Sequence, residues 1–102
     1  MTSLLNKKLQ NSDWQIGQVD EFLQLTAQES ALIDIRLALA QATKQARVAH
    51  DLSQAELAKR MKSSQSRIAK IETADPSVSI DLMVRALLAS GAGKAGVARA
   101  LR

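Results

Sequence analysis

No cysteine occurs in this 102-residue chain, so neither a disulfide framework nor a thiolate metal site can hold it together. Aromatic residues are almost missing as well, Trp14 and Phe22 being the whole set. A core must therefore be assembled from Leu, Ile, Val, Ala and Met. One proline and four glycines leave few built-in breaks, and an Ala- and Leu-rich chain of this kind favours helices over strands. No apolar run approaches the roughly 18 residues that a membrane span needs. The opening MTSLLNKKLQNSDW lacks the apolar centre of a secretory signal. His50 is the lone histidine, so about four zinc ligands cannot be gathered, and it reads as a helix-end residue. No nucleophile with its base, no phosphate loop and no metal cluster is legible. The expectation is a single small all-α domain in the cytoplasm, with no catalytic residue, no metal and no cofactor.

Charge is what the chain does have, and it is unevenly placed. The net charge is +4. Residues 1–43 sum to −2, residues 44–70 to +5 and residues 71–102 to +1. The basic excess comes from Lys44, Arg47, Lys59, Arg60, Lys62, Arg67 and Lys70. A concentrated basic stretch of this kind is the electrostatic footprint of a face that binds a polyanion. Glu21, Glu29 and Asp34 read as solvated.

The apolar spacing supplies the helices. Residues 1–18 show no clear period, although Leu4, Leu5 and Leu9 could share one face of a short helix, and Trp14 could anchor an arm. Val19, Phe22, Leu23 and Leu25 suggest a short helical turn. Thr26-Ala27-Gln28-Glu29 has the form of a capping box, and Ala31, Leu32, Ile35, Ala38, Leu39, Ala42 and Ala46 then mark one face of a helix to about His50, with a break conceivable near Thr43. The division expected is an N-terminal arm or short helix over 1–25 and a domain over 26–102. Ser53-Gln54-Ala55-Glu56 is a second capping box, opening a helix through Met61 whose apolar side is Ala55, Leu57, Ala58 and Met61. Ser64 can cap a helix from Gln65 to about Thr73, with Ile68, Ala69 and Ile71 inward and Asp75-Pro76 as its stop. Ser79 and Asp81 suit the start of the next helix, and Gly91 its end. A last helical pattern runs from about Lys94.

Two short helices joined by a three-residue turn, over 53–73, describe a helix-turn-helix. In such a unit the second helix enters the major groove. Its outer residues are Gln65, Ser66, Arg67 and Lys70. A glutamine can pair bidentately with adenine and an arginine with guanine, which makes these four the candidates for base reading. Gln54, with a helix dipole behind it, and Lys62 and Ser64, in the turn, are placed for phosphate contact. The surplus of Leu82, Val84, Leu87 and Leu88 is more than one helix stripe needs, so some close the core and others suit a dimer contact.

The stretch LSQAELAKRMKSSQSRIAKIE, residues 52–72, resembles the helix-turn-helix of the lambda-repressor/Cro-like, or XRE, family. The resemblance is carried by Leu52, Ser53, Gln54, Glu56, Leu57, Ala58, Ser64, Gln65, Ile68, Ile71 and Glu72. It implies a five-helix lambda-repressor-like domain with an N-terminal extension and a structural ion pair between Arg47 and Glu72. It also implies a transcriptional regulator, in the repressor sense, that binds double-stranded DNA as a homodimer on an inverted repeat. The implied location is the bacterial nucleoid. The segment 19–47 also resembles small HigA-type antitoxins, which implies as the alternative a protein that neutralises a toxin and autoregulates its own operon. Two positions depart from the family pattern. Lys62 stands where glycine is usual, and Asp51 replaces another frequent glycine. Lysine is poorly suited to the positive φ that glycine permits, so a non-standard turn is expected at Lys62.

Overall fold

The computed structural model describes residues 16–102 and, within them, the side chains except those at positions 16–20, 22 and 25. The apolar face expected from Leu4, Leu5 and Leu9, and the role of Trp14, lie outside the described residues. Among the described residues there are five α-helices and no strand. They are α1 (Ile16–Ala49), α2 (Gln54–Arg60), α3 (Gln65–Glu72), α4 (Ile80–Ala89) and α5 (Gly93–Ala100). By packing, the chain divides into two units, Met1–Ile33 and Asp34–Arg102.

The first unit holds the early part of α1. The capping box over Thr26–Glu29 does not start a helix, because α1 runs through it without interruption. A capping signal acts only where the backbone before it leaves the helix, and no glycine or proline forces that departure between Gln18 and Thr26. Leu23, Leu32 and Ile33 stay exposed on this stretch.

The second unit is built around Leu39, Leu57, Ile68, Ile71, Met83 and Leu87, all of them excluded from solvent. They come from α1, α2, α3 and α4, and Val78 joins them from the loop before α4. Ala58 is buried against this core, a small residue on the helix that packs most closely on α3. Ala55 is exposed instead of inward, and Ala69 is only half-buried. No break occurs at Thr43. Its buried hydroxyl donates to the Leu39 carbonyl one turn earlier, at 2.8 Å, so the polar group is satisfied inside the helix. Ser90 does the same for the Ala86 carbonyl at 2.8 Å. Arg36, which stood in the sequence only as a charge, donates to the Val78 carbonyl and so ties α1 to that loop.

Four helices end by one device. At the ends of α1, α2, α3 and α4 the chain turns through a left-handed residue: Asp51 (φ 55°), Lys62 (φ 53°), Ala74 (φ 57°) and Gly91 (φ 101°). Each is framed by paired backbone bonds. After α2, Lys62 N–H donates to the Lys59 carbonyl at 3.1 Å and Ser63 N–H to the Ala58 carbonyl at 2.9 Å. After α3, the pair is Ala74 to Ile71 at 3.1 Å and Asp75 to Lys70 at 3.0 Å. This is the Schellman arrangement, which satisfies carbonyls that a helix end would otherwise leave open. Lys62 therefore takes the conformation usual for glycine, and the turn is regular where a departure was expected. Ala74, not Asp75-Pro76, ends α3. Gly91 is held for a second reason: a Cβ there would come within 2.9 Å of the His50 ring. That ring closes α1, its Nδ1 donating to the Ala46 carbonyl at 2.8 Å.

A lysine in the left-handed region carries a steric cost of about 1–2 kcal/mol, partly offset by the lower entropy of its unfolded chain relative to glycine. Lys62→Gly should therefore stabilise the fold by about 0.5–1 kcal/mol, while Lys62→Ala leaves stability nearly unchanged. Chemical denaturation of the two variants checks this, and a destabilised Lys62→Gly contradicts it.

Candidate nucleic-acid interface

The second helix of the helix-turn-helix, α3, is set by the residue just before it. Ser64 has extended backbone, and its hydroxyl accepts the Arg67 N–H at 3.2 Å, which starts α3 at Gln65. The Ser64 and Ser66 hydroxyls lie 3.2 Å apart, so the two serines are linked at the N-terminal end of the helix. Ile68 and Ile71 turn fully inward. With about 100° between successive residues, the side opposite them carries Ser66 and Lys70, flanked by Gln65 on one side and Arg67 on the other. All four are exposed. The fold thus gathers the expected base-reading residues on the open surface of α3, with Ser66 and Lys70 central.

The residues expected on phosphates fall in two groups. Lys62 and Ser64 are exposed in the turn between α2 and α3. The left-handed backbone at Lys62 is what allows three residues to redirect the chain from Met61 into that helix. Gln54 is half-buried, and its amide donates to Glu72 Oε1 at 3.3 Å. One of its donors is therefore engaged within the fold, a contact the sequence did not disclose.

That contact belongs to a larger network. Arg47 and Glu72 form a two-pronged ion pair, Nε to Oε2 at 2.7 Å and Nη2 to Oε1 at 3.1 Å. The pair is nearly removed from water, with side-chain exposures of 13% and 4%. Arg47 Nη1 also donates to the Leu52 carbonyl at 2.8 Å. The hydrogen bond from Arg47 to Glu72 raises the Arg47 pKa further above its ordinary value, so the guanidinium is held in its charged form. One carboxylate thus joins the end of α1, the start of α2 and the end of α3.

Smaller devices fix the flanks. In α2, the Ser53 hydroxyl accepts the Glu56 N–H at 3.1 Å, and Glu56 accepts the Ser53 N–H at 3.2 Å. That backbone N–H, and then the hydroxyl, hold the exposed Glu56 carboxyl below the usual carboxylate range. After α3, Asp75 accepts the Ser77 hydroxyl at 2.7 Å and its N–H at 2.9 Å, and these bonds lower its pKa likewise. Arg67 and Lys70 share a cleft with Ser77, Ser79 and Arg85. These three were absent from the sequence-based site. Ser79 was legible as the cap of α4, and its hydroxyl does accept the Leu82 N–H at 3.1 Å. Its nearness to α3 depends on how the two helices pack, which no local signal encodes. Arg85 is paired with Asp81 at 3.2 Å on the surface, both strongly exposed.

Residues 44–89 match the Helix-turn-helix family model. This segment is a lambda-repressor/Cro-like, XRE-family helix-turn-helix domain. No curated protein and no solved structure matches the chain. The matched segment supports, at family level, a DNA-binding transcriptional regulator, and the five described helices are consistent with the lambda-repressor-like fold. No described helix is long and apolar enough to cross a membrane, and no group of three or more potential metal-ligating side chains occurs among the described residues.

Removing one member of a buried ion pair strands the other. Glu72→Ala should cost about 3 kcal/mol, and replacing both members with methionine should recover much of that loss. Thermal or denaturant unfolding of the single and double variants tests it. Equal losses in the two would show that the helix ends depend on the charges themselves.

Proposed function

We propose that this protein is a repressor that binds one double-stranded operator sequence as a homodimer, each copy presenting α3 to the major groove of one half of an inverted repeat. The observation that carries the reading is the open face of α3. It exposes Gln65, Ser66, Arg67 and Lys70 together, on a helix whose opposite side is locked into the core. Arg67 and Gln65 have the donor and acceptor geometry to read guanine and adenine edges, Lys70 reaches a base or phosphate, and Ser66 adds a short polar contact. Lys62, Ser64 and the free atoms of Gln54 hold the DNA backbone and fix the angle of entry. The domain over 34–102 carries twelve Lys and Arg against six Asp and Glu, a net of +6 that favours the approach to a polyanion. Leu88 and Leu101 remain exposed, at 43% and 49%, and supply apolar surface for pairing two copies. On this reading the protein acts in the cytoplasm, at the nucleoid.

Selection of bound sites from random duplex DNA tests the whole reading. The expected product is an inverted repeat with half-site centres about 34 Å apart. Recovery of no preferred sequence sinks it.

Base and phosphate contacts separate in a second experiment. Arg67→Ala should weaken the selected site by about 1–3 kcal/mol and relax the preference at one base pair. Lys62→Ala should weaken all duplexes alike and reduce the salt slope by about one unit. Unchanged affinity for the selected site in a gel-shift titration of Arg67→Ala removes that residue from the reading set.

A further inference from the structure

The cleft between α3 and α4 holds a cation that the reading of bases does not use. It is lined by Arg67 and Lys70 from α3, by Ser77 and Ser79 from the loop, and by Asp81 and Arg85 from α4. Its volume of about 370 Å³ is roughly ten times that of one liquid water, so a phosphodiester group can enter. Three cations line it against one carboxylate. Its two hydroxyls differ. Ser77 donates its hydroxyl to Asp75 at 2.7 Å, whereas Ser79 accepts the Leu82 N–H at 3.1 Å and keeps its own hydrogen for a ligand.

An α-helix with its side chains is about 10–12 Å across, and the major groove is about 12 Å wide. A helix seated in that groove fills it, so whatever flanks the helix lies over the sugar–phosphate backbone. On the α4 side of α3 the flank is this cleft. Arg85 is the cation there that already has a partner within the cleft. Its Nε lies 3.2 Å from the Asp81 carboxylate one turn earlier, and the two side chains are 71% and 78% exposed. So open a pair is weak. A guanidinium can meet a phosphate through two parallel charge-assisted hydrogen bonds, against the single Nε contact in the pair. A backbone phosphate can therefore take Arg85 from Asp81.

We propose that Arg85 is a backbone-phosphate contact and that Asp81, its partner in the free protein, competes with DNA for it. The proposal rests on α3 being the groove helix. On binding, Arg85 exchanges a carboxylate oxygen for a phosphate oxygen, and Ser79 donates to the same group. Asp81 is left beside that phosphate without its cation. The carboxylate therefore lowers the affinity for every duplex alike. The pair sets overall DNA affinity, separately from the residues that choose the sequence.

The test measures binding of the full chain to a fluorescent duplex of about 20 base pairs over a range of salt. Arg85→Ala should weaken binding about tenfold and reduce the salt slope by about one unit, and Arg85→Lys should keep the slope. Asp81→Asn should tighten binding about threefold. That gain should largely disappear in the Arg85→Ala background, where the carboxylate has nothing to withhold. Both side chains are exposed, so these substitutions leave the fold intact. An Arg85→Ala chain with the affinity and slope of the unaltered one overturns the proposal. Equal gains from Asp81→Asn in both backgrounds overturn the exchange, since simple repulsion of the duplex acts with or without Arg85. Failure of α3 as the groove helix shows separately. Lys70→Ala would then leave affinity unchanged as well, whereas a loss with Lys70→Ala and none with Arg85→Ala keeps the groove helix and removes only this contact.

Discussion

The ion pair between Arg47 and Glu72 is the constraint on which the placement of α3 depends. Glu72 is the last residue of α3, and Arg47 lies in the last turn of α1. Their two hydrogen bonds fix both distance and angle, because a guanidinium fork and a carboxylate meet in one plane. The same arginine holds the Leu52 carbonyl, and the same glutamate holds Gln54. The helix that leads into the turn and the helix that leaves it are therefore referred to one charged centre. Little water reaches that centre, so a loosened geometry would leave a charge stranded and is strongly disfavoured. The apolar core beneath, from Leu57 to Leu87, supplies the driving force for folding, and the pair selects the register in which α3 sits on it.

The turns translate that register into an exposed surface. Lys62 accepts a left-handed backbone, and in doing so it places a cation at the corner between α2 and α3. A glycine would make the same corner with less strain and no charge. On the proposed reading, the residue that costs stability is also the one that meets the DNA backbone, a local conflict of the kind found at functional sites.

Much of this was legible in the chain. Ser53, Ser64 and Ser79 each mark a helix start, and all three hydroxyls cap as their positions imply. Cap signals are local, since they need only the side chain and the next turn of backbone. The same local signal misled at Thr26, where the chain never leaves the helix. Ala55 misled for a related reason: it has the spacing of a core residue but falls on the open side of a seven-residue helix, too short for periodicity to fix its phase. The left-handed turns at Lys62 and Ala74 could not be read from residue type, because helix packing on both sides imposes them against local preference. Likewise Arg36 on Val78, Gln54 on Glu72 and the cleft shared by Arg67 with Ser77 and Arg85 join residues far apart in sequence.

Gly91 and His50 carry a consequence for how this sequence can change. Position 91 is restricted first by its φ of 101° and second by the exposed His50 ring, which a Cβ would meet at 2.9 Å and which would have to swing aside. A smaller side chain at position 50 lifts only the second prohibition. Substitution there widens the space over the corner yet leaves the backbone requirement intact. The two sites therefore differ in freedom: position 50 can drift while 91 stays glycine, and no route through position 50 alone releases 91. The junction where the ends of α1 and α4 meet is thus an asymmetric checkpoint in the sequence, open to variation from one side only.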